Sequence, residues 1–252
     1  MRRCRVALVA LPLMAVPLLS VLTLSSSPAA YAQEATPAVD LSRLSPLVTN
    51  PFFPLASLRS TMLEGEEHDP ATGETIAVRI EMTVRPETTT VAGVEVTVAE
   101  VKEYEDGELV EATLDYYAQD VDGTVYYLGE HVDMYEEGAV IGHEGTWLAG
   151  EGANQPGVYM PAHPEAGQVF EQERAPGVAE DRSTVLAIEQ AIVTPAGELS
   201  GCLHVEDFAA IEGGTGEKYY CPGVGIAREE FEGGSLDLVA FESTAPSTPT
   251  AG

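Results

Sequence analysis

Between Thr75 and Arg85 the chain alternates strictly. Ile76, Val78, Ile80, Met82 and Val84 fall on one side; Thr75, Ala77, Arg79, Glu81, Thr83 and Arg85 fall on the other. Successive side chains of a strand point to opposite faces, so this pattern specifies a half-buried strand and conflicts with the three-to-four-residue spacing of a helix. Val94, Val96 and Val98 repeat it against Glu95 and Thr97. Turn signals cut the pattern at hairpin spacing: Thr72-Gly73, Asp106-Gly107, Asp122-Gly123, Glu137-Gly138, Gly213-Gly214 and Gly233-Gly234. Glycine supplies the positive φ that two-residue hairpin turns require. The segments 58–67, 74–85, 90–104, 108–119, 124–135 and 139–148 therefore read as an up-and-down meander. A second series, 168–174, 182–194, 199–208, 216–221, 224–232 and 236–243, is expected to continue it. No window sustains a helical period. The expected fold is all-β: a single curved antiparallel meander sheet, half-barrel or barrel-like.

Two features modify that sheet. Tyr116-Tyr117, Tyr126-Tyr127 and Tyr219-Tyr220 each place one ring on either face of a strand, which implies that part of the second face is covered. The stretch Gly142–Gln168 is rich in Gly and Pro and carries Trp147, the sole tryptophan. A long loop of this composition is expected to pack as a partial cover over the sheet.

Outside the meander, Arg2, Arg3 and Arg5 precede the apolar run Val6–Leu24, and Ala30-Tyr31-Ala32 offers a small-residue cleavage site. That is the layout of a secretory signal peptide, with cleavage expected after Ala32. Pro12 and Pro17 interrupt the run and argue against a membrane anchor. The expected organisation is a signal peptide over 1–32, an irregular leader over 33–50, one β domain over 51–243 and a disordered tail over 244–252. In an exported chain the remaining cysteines, Cys202 and Cys221, are expected to form a disulfide. Closing a loop of roughly 20 residues, it would contribute about 3 kcal/mol.

Charge narrows the partners. The chain has 41 Asp+Glu against 12 Lys+Arg. Removing residues 1–32, with three Arg and no acid, leaves 41 against 9 and a net charge of −32. Nucleic acid and anionic membrane surfaces both attract clustered Lys and Arg, so neither is an expected partner. The acids themselves are expected on turns and solvated strand faces, where they favour solubility and a monomer.

The motifs yield little catalysis. Asp120-Val-Asp-Gly-Thr124 matches the D-x-D-G-T motif of haloacid-dehalogenase-like phosphatases, but no βαβ pattern surrounds it, and an Asp-Gly hairpin turn explains the same letters. A two-residue turn at Asp122-Gly123 places Asp115 directly across from Glu130, where like charges repel. Either the register differs, an Arg lies nearby, or a cation is bound. Asp115, Asp120, Asp122 and Glu130 are therefore the candidate calcium ligands, calcium being the one possible cofactor. Five histidines (His68, His131, His143, His163 and His204) show no short metal spacing. No serine-nucleophile elbow or phosphate loop occurs, and no catalytic residue is singled out.

Several segments resemble an uncharacterised family of secreted bacterial proteins. They are Asn50-Pro-Phe-Phe-Pro-Leu55, Asp115-Tyr-Tyr-Ala-Gln-Asp120, Val125-Tyr-Tyr-Leu-Gly-Glu130 and Glu144-Gly-Thr-Trp-Leu-Ala-Gly150, then Met160-Pro-Ala-His-Pro164, Gly177-Val-Ala-Glu-Asp181 and Tyr219-Tyr-Cys-Pro-Gly-Val-Gly225. The resemblance spans Asn50 to Phe241 and implies one domain. More distantly, Thr194-Pro-Ala-Gly197 and Tyr220–Ile226 are similar to lipoprotein-carrier-like half-barrel proteins, which implies a covered concave face able to hold an apolar ligand.

The expected function is that of a secreted acidic β domain without catalysis, binding an apolar or amphipathic small molecule or serving a cell-envelope or structural role. Tyr116, Tyr127, Trp147, Tyr159 and Met160 are the candidate ligand contacts. The alternative is a carboxylate- and histidine-based hydrolase or metal-dependent enzyme, with Asp120, Glu130, His143, Glu144 or His163 around one cleft.

Overall fold

Fifteen strands join one antiparallel sheet in the computed structural model, which describes residues 39–244 except 70, 71 and 212. The expected signal peptide and the tail beyond 244 lie outside the described residues. The strands are β1 (Leu44–Ser45), β2 (Leu58–His68), β3 (Thr75–Val91), β4 (Val94–Glu105), β5 (Glu108–Asp120), β6 (Val125–Glu136), β7 (Ala139–Gly142) and β8 (Trp147–Leu148). They continue with β9 (Gly157–Met160), β10 (Val169–Glu171), β11 (Arg182–Thr194), β12 (Gly197–Phe208), β13 (Thr215–Cys221), β14 (Gly225–Phe231) and β15 (Gly234–Ser243). No α-helix occurs among the described residues, and none there is long and apolar enough to cross a membrane.

The first series runs β2 to β7 and the second β10 to β15, each strand beside its predecessor. They do not join end to end as expected. The last strand, β15, pairs with β2, so the order is β10-β11-β12-β13-β14-β15-β2-β3-β4-β5-β6-β7. Both chain ends of the domain thus meet in mid-sheet, and the connection carrying β8 and β9 spans the opening between the two outer edges. There β8 and β9 pair with β6, and Gln155 bridges Arg174 just beyond β10. The sheet is curved but not closed into a barrel.

Part of the expected leader is regular. Asp40 caps the 3-10 turn Leu41–Arg43, and Leu44 and Ser45 then pair with Asp120 and Gln119 of β5. The following segment plugs the concave side. Phe53, Leu55 and Leu58 are each no more than 2% exposed, and burying side chains of this size contributes about 1.5–3 kcal/mol each. Asn50 locks the plug in place. Its amide donates to Gly123 O (3.0 Å) and Pro161 O (3.1 Å), and its Oδ1 accepts from Phe52 N (2.9 Å).

Two apolar clusters follow. One joins Val48, Phe53, Val96, Tyr117, Tyr127, Trp147, Met160 and Tyr220 under the plug; the other gathers Leu63, Val78, Leu236 and Leu238 around the disulfide. Cys202 and Cys221 are bonded across β12 and β13, as expected, and both are fully buried.

Candidate functional site

The hairpin of β5 and β6 carries the most unusual chemistry. Its turn is Val121-Asp122-Gly123, with Asp120 N donating to Thr124 O (2.9 Å) and Gly123 N to Asp120 O (2.9 Å). This loop is one residue longer than expected and pairs Tyr117 with Tyr127. Further along, Leu128 and Gly129 oppose Tyr116 alone, a bulge that shifts the register by one and brings Asp115 opposite Glu130. The expected pairing is therefore present, by a different route. The bulge also resets the alternation of β6: without it, Tyr127 and Glu130 would point to opposite faces. Gly129 is required there, since its φ is 120° and a Cβ would lie 2.2 Å from Trp147 O.

Contrary to expectation, these acids are not on a solvated rim. Asp115 is 8% exposed and faces inward beside Tyr117 and Tyr127. Burial pushes its carboxyl up to about 6, although hydrogen bonds from Thr113, Tyr117 and Tyr127 oppose the rise. Glu130 is raised well above the usual carboxylate range, first by burial and then by the charges of Asp115 and Glu173. Glu173, in the segment after β10, is pushed up to about 8 by burial and by Asp181. Glu111, two pleats along β5 from Asp115, rises to about 7 by burial and the charge of Asp115. Glu103, paired with Glu111 across β4 and β5, is also held well above the usual carboxylate range, first by burial and then by the charge of Glu111. On the opposing wall Lys218 forms an ion pair with Asp207 (3.0 Å) and lies across the ladder from Glu229.

An aromatic wall surrounds the pair. Tyr117 stacks on Tyr127 with centroids 4.9 Å apart, Phe53 and Tyr159 meet at 4.4 Å, and Trp147 stands edge-on to Tyr127 at 5.5 Å. Within it Asp115 Oδ1 and Trp147 Nε1 are buried with no hydrogen-bond partner. The indole N–H is close enough to Glu173 to favour its charged form, without completing a hydrogen bond. Burying such atoms unpaired costs about 1–3 kcal/mol each. Glu173 also lines a cleft of 380 Å³ with Gln155, Glu171, Arg174, Glu180 and Arg182.

The candidate ligand contacts divide. Tyr127, Trp147 and Met160 are buried in the inner cluster and Tyr159 packs against it, whereas Tyr116, partly buried, alternates with the inward Asp115 and Tyr117 on β5. Tyr117, its neighbour, is the ring inside. The four candidate calcium ligands divide as well. Asp115 and Glu130 meet, but Asp120 is held by Arg43, whose Nε and Nη2 donate to it at 2.9 and 2.6 Å. That contact, with the N–H of Asp122, keeps Asp120 below the usual carboxylate range. Asp122 is exposed and accepts from Thr124 N (2.8 Å). The anticipated arginine is real, but it answers Asp120 rather than the opposed pair. Among the described residues these four acids do not form a common ligand set.

The residues of the enzymatic alternative are not brought into one cleft. Glu130 faces inward, Asp120 is paired with Arg43 at the hairpin end, and His143, Glu144 and His163 are exposed. Glu103, Glu111, Glu173, Lys218 and Tyr117 were not singled out from sequence. No signal in the sequence separated them: on β5 the face formed by Glu111, Thr113, Asp115 and Tyr117 carries an aromatic ring, and so does the face formed by Leu114 and Tyr116. No family model, curated protein or solved structure matches the chain.

Proposed function

We propose that the chain is exported and that its half-barrel is a non-catalytic binding domain for an amphipathic small molecule with a cationic head. The head would be held by Asp115, Glu130 and Glu173, and the apolar part would lie against Tyr127, Trp147, Tyr159 and Met160. The observation that carries this reading is the unpartnered Asp115 Oδ1, buried in an aromatic wall and opposed to a second carboxylate. A cation there would supply the missing partner and stabilise the charged forms that burial disfavours. Ammonium or guanidinium groups also interact favourably with the faces of Trp and Tyr. Export rests on the layout of residues 1–32 and is supported by the disulfide, a bond that oxidising compartments sustain.

Calorimetric titration with dodecylamine and with dodecanol tests the binding. The amine is expected to bind saturably with release of protons, seen as a buffer-dependent enthalpy, while the alcohol binds much more weakly. Asp115→Asn and Glu173→Gln are expected to abolish the preference for the amine. Equal affinity for both compounds, or a preference unchanged in both variants, would overturn the reading.

A further inference from the structure

The face of β6 opposite Glu130 carries a second group of side chains. His131 and Asp133 are two residues apart on the strand and project from the same side. His143, just beyond β7, returns over them. Its Nδ1 lies 2.9 Å from Asp133 Oδ1, and His131 Nε2 lies 3.6 Å from the same oxygen. The two rings are 5.4 Å apart at a tilt of 31°. One ligand atom from each of the three residues falls within 4.8 Å of the others, a convergence no other trio of His, Cys, Asp or Glu reaches among the described residues.

The backbone holds this arrangement through bonds that do not involve the three side chains. Val132 N donates to Thr146 Oγ1 at 2.9 Å, Thr146 N donates to His143 O at 3.1 Å, and Trp147 pairs with Glu130. The turn 143–146 is thus docked on β6 independently, and it delivers His143 to a fixed place above His131.

We propose that His131, Asp133 and His143 form a binding site for a borderline divalent transition-metal ion such as Zn²⁺. Imidazole nitrogen and carboxylate oxygen are the donors such ions prefer, at about 2.0–2.2 Å, so neighbouring ligands of a tetrahedral ion stand about 3.4 Å apart. The separations of 2.9 and 3.6 Å straddle that value. Calcium fits poorly, because it takes six to eight oxygen ligands. His143 Nδ1 also lies 2.9 Å from Val132 O; on binding, the neutral imidazole carries its proton on Nε2 and offers Nδ1 to the ion. Three protein ligands leave one position for water or a further ligand. An ion held there staples the loop that carries Trp147 to the outside of β6, and the net charge of −29 favours its approach.

Titration of the purified, chelator-stripped chain with Zn²⁺ alone tests the site. One ion per chain is expected, and Co²⁺ in its place should give visible d–d absorption of a nitrogen-ligated, four- or five-coordinate ion. His131→Ala and His143→Ala should each weaken Zn²⁺ binding by about tenfold or more, with the far-ultraviolet circular dichroism of the sheet unchanged. Undiminished binding in the folded double variant overturns the site, and so does failure of the folded native chain to bind Zn²⁺.

Discussion

Asp115 and Glu130 face each other across the β5–β6 ladder, on the inner side of a strongly acidic sheet. Like charges directly opposite destabilise a ladder, and burial removes much of the water that would screen them. The protein meets this by retaining protons: Asp115, Glu111, Glu130 and Glu173 all hold theirs to a higher pH than a free carboxyl would.

Stability should therefore fall as the pH rises. Asp115 titrates at about 6, Glu111 at about 7 and Glu173 at about 8 in the folded chain, each above its unfolded value. The folded state binds more protons across that window, so the stabilisation is fully present below about pH 4 and is lost as the pH passes through the folded values. Urea denaturation at about pH 5 and about pH 8.5 is expected to differ by on the order of 1 kcal/mol per carboxyl. Asp115→Asn and Glu173→Gln should flatten the slope and stabilise the protein at the higher pH. Stability that is level or rising over this range would contradict the buried cluster.

Gly129→Ala should be among the most damaging single-methyl changes. It combines a φ of 120° with a Cβ placed 2.2 Å from Trp147 O, and a loss of more than about 3 kcal/mol is expected. Equilibrium unfolding measures it; a loss below about 1 kcal/mol would mean that β6 carries no bulge there.

Asn50→Ala should cost about 2–3 kcal/mol, because it leaves Gly123 O, Pro161 O and Phe52 N without their amide partner inside the plug. Asn50→Asp keeps the acceptor for Phe52 N but sets a buried carboxylate oxygen against Gly123 O and Pro161 O, and is expected to cost at least as much at neutral pH. A neutral Asn50→Ala would show that the plug is not anchored through this side chain.

Replacing Cys202 and Cys221 together by Ala should lower stability by about 3 kcal/mol while leaving the sheet folded. The comparison is made between native and variant chains under non-reducing conditions. If reductant destabilised the native protein no further than the double variant's own midpoint, the bridge and its loop closure would account for the whole effect. A native protein indifferent to reductant would contradict it.

Much of the fold was legible because strands announce themselves locally. The alternation of Ile76 to Val84 marks β3, and the glycines at 107, 123 and 138 mark hairpin ends that the sheet places where expected. The opposition of Asp115 and Glu130 was also legible, though by a fortunate cancellation: a three-residue loop replaced the expected two-residue turn, and the Leu128–Gly129 bulge restored the register.

The amino-acid sequence alone determined the all-β class, most strand limits and the Cys202–Cys221 pair, because period-two burial, turn conformations and cysteine number depend on near neighbours. Tertiary structure alone decided that β15 joins β2, that His143 lies over His131, and that Asp115 faces inward. On β5, Leu114 and Tyr116 alternate with Asp115 and Tyr117, so either face offers apolar surface. On one face Ala118 is buried and Leu114 and Tyr116 are partly buried. The plug and the Trp147 loop enclose the other. Burial on both sides removes the hydrophobic preference that would otherwise orient the strand, and only the long-range packing then chooses which carboxylates are inside.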